Sequence, residues 1–212
     1  GAGAPLGAIG SGCGVCAAVA ARNGYNKARG AEGEKKSVAV IGDSTFAHPG
    51  ITSLIDIAYN RSNSVVIVLD NSITGMTGHQ QNPTTGYNIK GEPATAVDLE
   101  ALCHATGIHR VAVVDPYDLK EVTRVRKEEL AAEEPSVIIS RRPCALLKYV
   151  KHNPPLSVDQ DKCIGCKACL KTGCPALYYD KTAKKVHINR AQCVGCDVCM
   201  QVCRKDAISK ED

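Results

Sequence analysis

Tryptophan is absent from this 212-residue chain, phenylalanine occurs once, and aromatic residues make up only 4% of it. A core must therefore be built from aliphatic side chains, which the 44% hydrophobic content supplies. No apolar run reaches the roughly 18 residues of a membrane-spanning helix, which argues against a membrane partner. Gly1 to Gly10 are small and apolar but lack the charged start of a signal peptide. The expectation is a soluble, cytoplasmic protein. Thiols stay reduced in that compartment, and cysteine runs there bind metal more often than they form disulfides. A cluster of like charges is also missing. The formal net charge is +4, yet lysines and arginines are scattered along the chain, which argues against a nucleic-acid groove.

What the chain has in excess is cysteine. Eight of its twelve cysteines fall in the 41 residues from Cys163 to Cys203. The first run is Cys163, Cys166, Cys169 and Cys174, followed by Pro175; the second is Cys193, Cys196, Cys199 and Cys203. Each is a C-x2-C-x2-C pattern with a distant fourth cysteine, the arrangement of two-cluster bacterial ferredoxins. A 4Fe-4S cube needs four soft thiolates around it, and in that arrangement the fourth cysteine of each run crosses to the other cluster. This assigns Cys163, Cys166, Cys169 and Cys203 to cluster 1, and Cys193, Cys196, Cys199 and Cys174 to cluster 2. Two oxidised clusters would carry roughly −4 and cancel the formal charge. A zinc module and a disulfide domain are the alternatives, and zinc sites seldom use triple runs. The pattern departs from the simplest one in a four-residue gap before Cys174 and in Arg204 where proline follows the last cysteine. Cys13 and Cys16 form a CxxC in a Gly/Ala-rich segment and read as packing residues; Cys103 and Cys144 read as core thiols.

Composition changes near Lys148. Before it, Val38–Ile41, Val65–Leu69, Val111–Val114 and Val137–Ile139 are continuous β-rich runs, as expected of strands buried in a parallel sheet. Between them Ile51–Arg61, Val97–Thr106 and Leu119–Ala132 read as helices. This alternation predicts a three-layer α/β domain over residues 1–147. Its opening residues show no first strand or cap, as expected of a chain that starts inside a domain. Residues 148–156, with His152-Asn153-Pro154-Pro155, read as a linker, because consecutive prolines exclude helix and sheet. Residues 157–212 read as a small α+β two-cluster ferredoxin-like domain, with Val186-His187-Ile188 as one strand. So short a piece with few large apolar residues needs metal to fold.

Gly42-Asp43-Ser44 ends the first predicted strand and Asp70-Asn71 the next, with 25 residues between the two motifs. In a right-handed βαβ unit both ends emerge at the carboxyl edge of the sheet, where α/β proteins bind ligands. A carboxylate and an amide oxygen there suit Mg²⁺, which takes hard oxygen ligands and shares its shell with phosphates. The alternative is that Asp43 caps a helix and Asn71 makes a turn.

The two motifs resemble the thiamine diphosphate signature, with Ser44 in place of its second glycine. The run from Asn71 to Gln80, with Val113–Asp118 and Pro135–Leu146, is similar to the thiamine-binding half of 2-oxoacid:ferredoxin oxidoreductases, most of all to the alpha subunit of the indolepyruvate type. That family also appends a two-cluster ferredoxin domain. The resemblance implies that Asp43, the Asn71 side chain and the Ile73 carbonyl hold Mg²⁺. It also implies that Gly42 and Ser44 lie at the diphosphate, and that Thr74, Gly75, Met76, Thr77, Gly78 and Gln80 line the cofactor. His79 and His48 are candidates for the substrate pocket, against the alternative of ordinary structural histidines.

The implied reaction is oxidative decarboxylation of a 2-oxo acid, an aryl pyruvate in this type, to an acyl-CoA. Electrons would pass through both clusters to external ferredoxin, with coenzyme A as co-substrate. The pyrimidine domain that donates the activating glutamate has no match here, so a partner subunit of the gamma/beta type and a hetero-oligomer are implied. A non-catalytic electron-transfer subunit is the alternative, as is an enzyme acting on pyruvate or branched-chain oxo acids.

Overall fold

The computed structural model describes residues 17–30 and 38–210, and the chain divides into two compact units between Cys144 and Ala145. In the first unit, helix α1 (Ala17–Arg29) precedes strand β1 (Val38–Gly42). A short α-turn (Asp43–Thr45) and a π-turn (Phe46–Gly50) then lead without a break into α2 (Ile51–Tyr59). Strand β2 (Val65–Asp70) follows, then α3 (Leu99–Ala105), β3 (Arg110–Val114), α4 (Leu119–Ala131) and β4 (Ser136–Arg141). The four strands form one parallel sheet in the order β1-β2-β4-β3, so the last strand inserts between two earlier ones.

Both faces of this sheet carry apolar residues, which is why its strands read as continuous runs. On one face Ala39, Ile41, Val66, Val68, Val137 and Ile139 pack with Val19 of α1, Leu54 and Ile57 of α2, and Leu99 and Cys103 of α3. On the other, Val65, Ile138 and Val114 pack with Val125 of α4. Val40 and Leu69 on that second face stay nearly half exposed. The helices begin where side chains satisfy free backbone N–H groups. Asp98 accepts from the Glu100 and Ala101 amides at α3, and Asp118 from the Glu121 amide at α4. Buried Asn26 of α1 donates to Ser64 Oγ at 2.6 Å, tying α1 to the turn before β2.

The second unit holds three-residue strands β5 (Leu156–Val158) and β8 (Ile208–Lys210), paired antiparallel, and the hairpin β6 (Leu177–Asp180) and β7 (Lys185–Ile188). A 3-10 turn (Cys169–Thr172) and the single-turn helix α5 (Val198–Gln201) each follow a cysteine loop. Its core consists of Leu156, Leu177, Val186, Ala207 and Ile208 together with Cys163, Cys169 and Cys199. Three of those eight buried residues are cysteines. Residues 151–155 have no regular structure, and Leu156 opens the first strand of this unit. Among the described residues no helix is long and apolar enough to cross a membrane.

Candidate active site and metal centres

The carboxyl ends of β1 and β2 bring Asp43 and Asp70 to one edge of the sheet, as the parallel register requires. Asp43 is 3% exposed, and its Oδ1 accepts the Ser44 N–H at 2.7 Å. Its Oδ2 is buried without a hydrogen-bond partner. Burial pushes this carboxyl above the usual carboxylate range, opposed by the Ser44 N–H, assisted by the nearby Asp70 charge, and opposed more weakly by the Asn82 side chain and the Ser72 N–H. An orphaned buried carboxylate oxygen is costly unless a cation completes it. Asp70 is balanced instead by Arg141, whose Nε lies 2.8 Å from Oδ2.

The chain then runs from residue 71 to 98 without helix or regular strand, a length usual for binding loops. Asn71 Oδ1 accepts the Ile73 N–H at 3.2 Å, and the Asn71 carbonyl accepts the Cys144 N–H at 2.9 Å. Thr74 and Gln80 pair across a small closed loop, and Gln80 Nε2 donates to the Thr77 carbonyl at 2.6 Å. Gly75 to Gly78 form the tip of that loop, with Met76 93% exposed. Buried Asn82 donates to Thr74 Oγ1 at 3.3 Å and accepts from Thr84 N and Oγ1, bracing the loop from behind.

His79 has a left-handed backbone, φ 64°, and its Nε2 lies 3.9 Å from Cys144 Sγ. Cys103 is fully buried in the core, as expected, but Cys144 is only half-buried. The difference has a simple cause: Cys144 follows the end of β4, where the chain has left the sheet and turned back to Asn71. His48 is exposed on the π-turn that follows Asp43. Sequence reading missed Arg141 and Asn82, which hold the acidic edge and the loop. The signals are the burial of Asn82 and the pairing of Arg141 with buried Asp70, neither of which a sequence displays. Cys13 and Cys16 lie outside the described residues.

In the second unit Cys203 joins the thiols of the first cysteine run. One cavity is lined by Cys163, Cys166, Cys169 and Cys203, with Ile164 and Lys167 at its side. Burial raises the Cys169 thiol pKa, and the charges of Cys203, Cys163 and Cys166 raise it further. Cys199 is pushed up to about 12 by burial and then by Cys196, Cys174 and Cys193. Cys203 thus lines the cavity of the first run, and Cys174 and Cys169 are both among the charges that act on Cys199. Among the described residues no three ligands converge on one point as a single ion would need; the thiols of Cys163, Cys166, Cys169 and Cys203 line a cavity instead. Backbone N–H groups from Leu156 and Ala207 point at Cys193 Sγ, 3.5 Å, and Cys203 Sγ, 3.4 Å. Such contacts stabilise thiolates toward a cluster. Gly165 and Gly195 turn left-handed in the two loops. A side chain on Gly165 would strike the Lys184 carbonyl, and one on Gly195 would come within 2.6 Å of the Pro154 carbonyl.

Comparison with known proteins agrees with this geometry. Indolepyruvate oxidoreductase subunit IorA of Pyrococcus abyssi is 42% identical over 186 residues, covering 84% of this chain and 28% of that protein. The same subunit of Thermococcus kodakarensis is 45% identical over 154 residues, covering 68% of this chain and 24% of that protein. The chain thus spans about a quarter of the length of these curated relatives. Among solved structures, a 2-oxoglutarate:ferredoxin oxidoreductase from Magnetococcus marinus superposes with a TM-score of 0.55 at 20% identity. That match covers 64% of this chain and 47% of that one, and establishes a shared fold. Residues 155–204 match the 4Fe-4S dicluster domain. Residues 4–140 match the thiamine pyrophosphate enzyme C-terminal TPP-binding domain, and the chain belongs to that family.

Proposed function

We propose that this chain is the thiamine-diphosphate-binding and electron-carrying portion of a 2-oxoacid:ferredoxin oxidoreductase subunit of the indolepyruvate type. It acts in the oxidative decarboxylation of an aryl pyruvate to an acyl-CoA, with external ferredoxin as acceptor, and works in the cytoplasm. One observation carries the reading: an orphaned carboxylate oxygen at a parallel-sheet edge stands in the same chain as a cavity lined by Cys163, Cys166, Cys169 and Cys203.

Thiamine diphosphate, when bound, supplies the carbanion chemistry that releases carbon dioxide from a 2-oxo acid. The residues of the chain do the rest. Asp43, the Asn71 side chain and the Ile73 carbonyl hold Mg²⁺ against the diphosphate. Gly42 and Ser44 bring backbone to the diphosphate at the start of the continuous helical run 43–59, whose positive dipole end favours an anion. The closed loop from Thr74 to Gln80 lines the cofactor, and His79, with its ring beside Cys144, faces the substrate. His48 is a weaker candidate for the same pocket. The pyrimidine-binding domain and its activating glutamate come from a partner subunit or from another part of the protein, and coenzyme A takes the acyl group. Cys163, Cys166, Cys169 and Cys203 hold cluster 1, and Cys193, Cys196, Cys199 and Cys174 hold cluster 2. Clusters suit the oxidation because they accept electrons singly.

The test is anaerobic analysis of iron, sulfide, magnesium and thiamine diphosphate in the native complex, followed by turnover of aryl pyruvates with coenzyme A and ferredoxin. About eight irons and one thiamine diphosphate per chain are expected. Eight irons with no thiamine would overturn the enzyme reading and leave a non-catalytic electron-transfer subunit.

A further inference from the structure

The two cysteine loops are a repeat, Cys163-Ile-Gly-Cys-Lys-Ala-Cys169 against Cys193-Val-Gly-Cys-Asp-Val-Cys199, and they share their backbone shape. Lys167 and Asp197 occupy the same position, both left-handed, with φ 62° and 61°. The two loops nevertheless meet different surroundings. The cluster 2 loop is covered: Gly195 is buried under Asn153 and Pro154, and Asn153 Nδ2 donates to the Gly195 carbonyl at 3.1 Å. Asp197 is spent on Lys210, 2.8 Å away. The cluster 1 loop stays open. Cys166 is exposed, and Ile164 beside it is 62% exposed.

Charge differs in the same sense. From Cys163 to Cys174 the chain carries Lys167 and Lys171 and no acid; from Cys193 to Cys203 it carries Asp197 and no base. Lys167 and Lys205 both line the cavity bounded by the cluster 1 thiols, and Lys167 is held over the Tyr179 ring at 4.0 Å. An exposed apolar residue and an exposed cluster ligand, rimmed by lysines, make a surface suited to a negatively charged protein.

We propose that the cluster 1 face, centred on Ile164 and Cys166 and rimmed by Lys167 and Lys205, is the docking site of an acidic one-electron carrier protein, and that cluster 1 is the exit of the chain. One electron leaves the reduced cluster and the oxidised carrier takes it up; no bond forms or breaks. Cluster 2, covered by Asn153 and Pro154, does not meet the carrier. This inference deepens the electron-transfer part of the proposed function.

It is tested without the thiamine reaction. The cluster-loaded full chain is reduced by dithionite, and its oxidation by an acidic 4Fe-4S ferredoxin is followed by stopped flow across ionic strength. Lys167→Glu/Lys205→Glu should slow the second-order rate about tenfold at low salt, with the difference vanishing at high salt. Iron content and two unchanged cluster EPR signals establish that the variant is intact. Lys120→Glu/Lys127→Glu on α4 makes the same change in net charge elsewhere and should leave the rate within about twofold. No slowing in the first variant, or equal slowing in both, would overturn the proposal. Since no 2-oxo acid is used, a failed substrate screen leaves this result standing, and a failure here leaves the thiamine chemistry untouched.

Discussion

Asp43 serves binding at the expense of the fold. Its Oδ2 is buried and unpaired, so the carboxylate destabilises the protein until a cation reaches it. Asp43→Asn keeps the shape and removes the charge. In cluster-loaded, thiamine-free protein it should raise the stability of the α/β unit by on the order of 1 kcal/mol while abolishing retention of Mg²⁺ and thiamine diphosphate. A denaturant midpoint no higher than wild type would show that the carboxylate is already satisfied. Cys103 shows burial acting on a thiol: burial and then the charges of Asp98 and Glu100 push it up to about 12, against an ordinary 9.0. A raised native pKa means stability that is full below the unfolded value and lost as pH rises from about 9 toward 12. Labelling of Cys103 in the native protein should therefore stay negligible between about pH 7 and 10, where an ordinary thiol reacts faster with pH. Peptide mapping after maleimide treatment reads this residue separately from Cys144. Asp43 and Asn71 were legible because they sit at strand ends in a known spacing. Arg141 on Asp70 and His79 beside Cys144 were not, since the partners are 71 and 65 residues apart.

Among the elements, each strand and helix expected in the α/β unit lies within two residues of its observed ends. Those ends follow from local chemistry: β-rich runs, and Asp98 and Asp118 as helix caps. The order β1-β2-β4-β3 did not follow, because parallel strands pair through backbone and any apolar run fits beside any other. The π-turn over Phe46–Gly50 was also invisible, as nothing in its sequence marks an extra residue in the helical ladder. In the second unit, close approach gives the loop glycines a measurable role. Gly165→Ala drives a methyl into the Lys184 carbonyl at the end of the β6–β7 turn, a backbone atom that cannot swing aside. The variant should lose cluster 1 selectively, seen as roughly half the iron and one EPR signal missing. Full iron with both signals would show that the turn can yield.

The molecule as a whole joins two kinds of core. The α/β unit buries aliphatic residues on both faces of its sheet, and it can hold its fold with no metal. The second unit has only short strands and a core in which three of eight buried residues are cysteines. Anaerobic iron chelation should therefore unfold residues 156–210 and leave β1–β4 protected, as read by hydrogen exchange. Retained protection in both units would show that thiol packing alone suffices.

The sequence by itself determined the chemistry: thiolates at cluster spacing, a carboxylate and an amide at two strand ends, and the periodicities that build the elements. These are legible because ligand type and local propensity are properties of residues and their near neighbours. Tertiary structure alone decided which groups are satisfied and which are left open. The repeat of the cysteine loops predicts two equal clusters. Only the fold lays Asn153 and Pro154 over Gly195 and leaves Ile164 and Cys166 in the open, because burial depends on chain that arrives from elsewhere in the sequence. For the same reason Asp70 finds Arg141 while Asp43 Oδ2 has no hydrogen bond, and that difference marks which carboxylate waits for a cation.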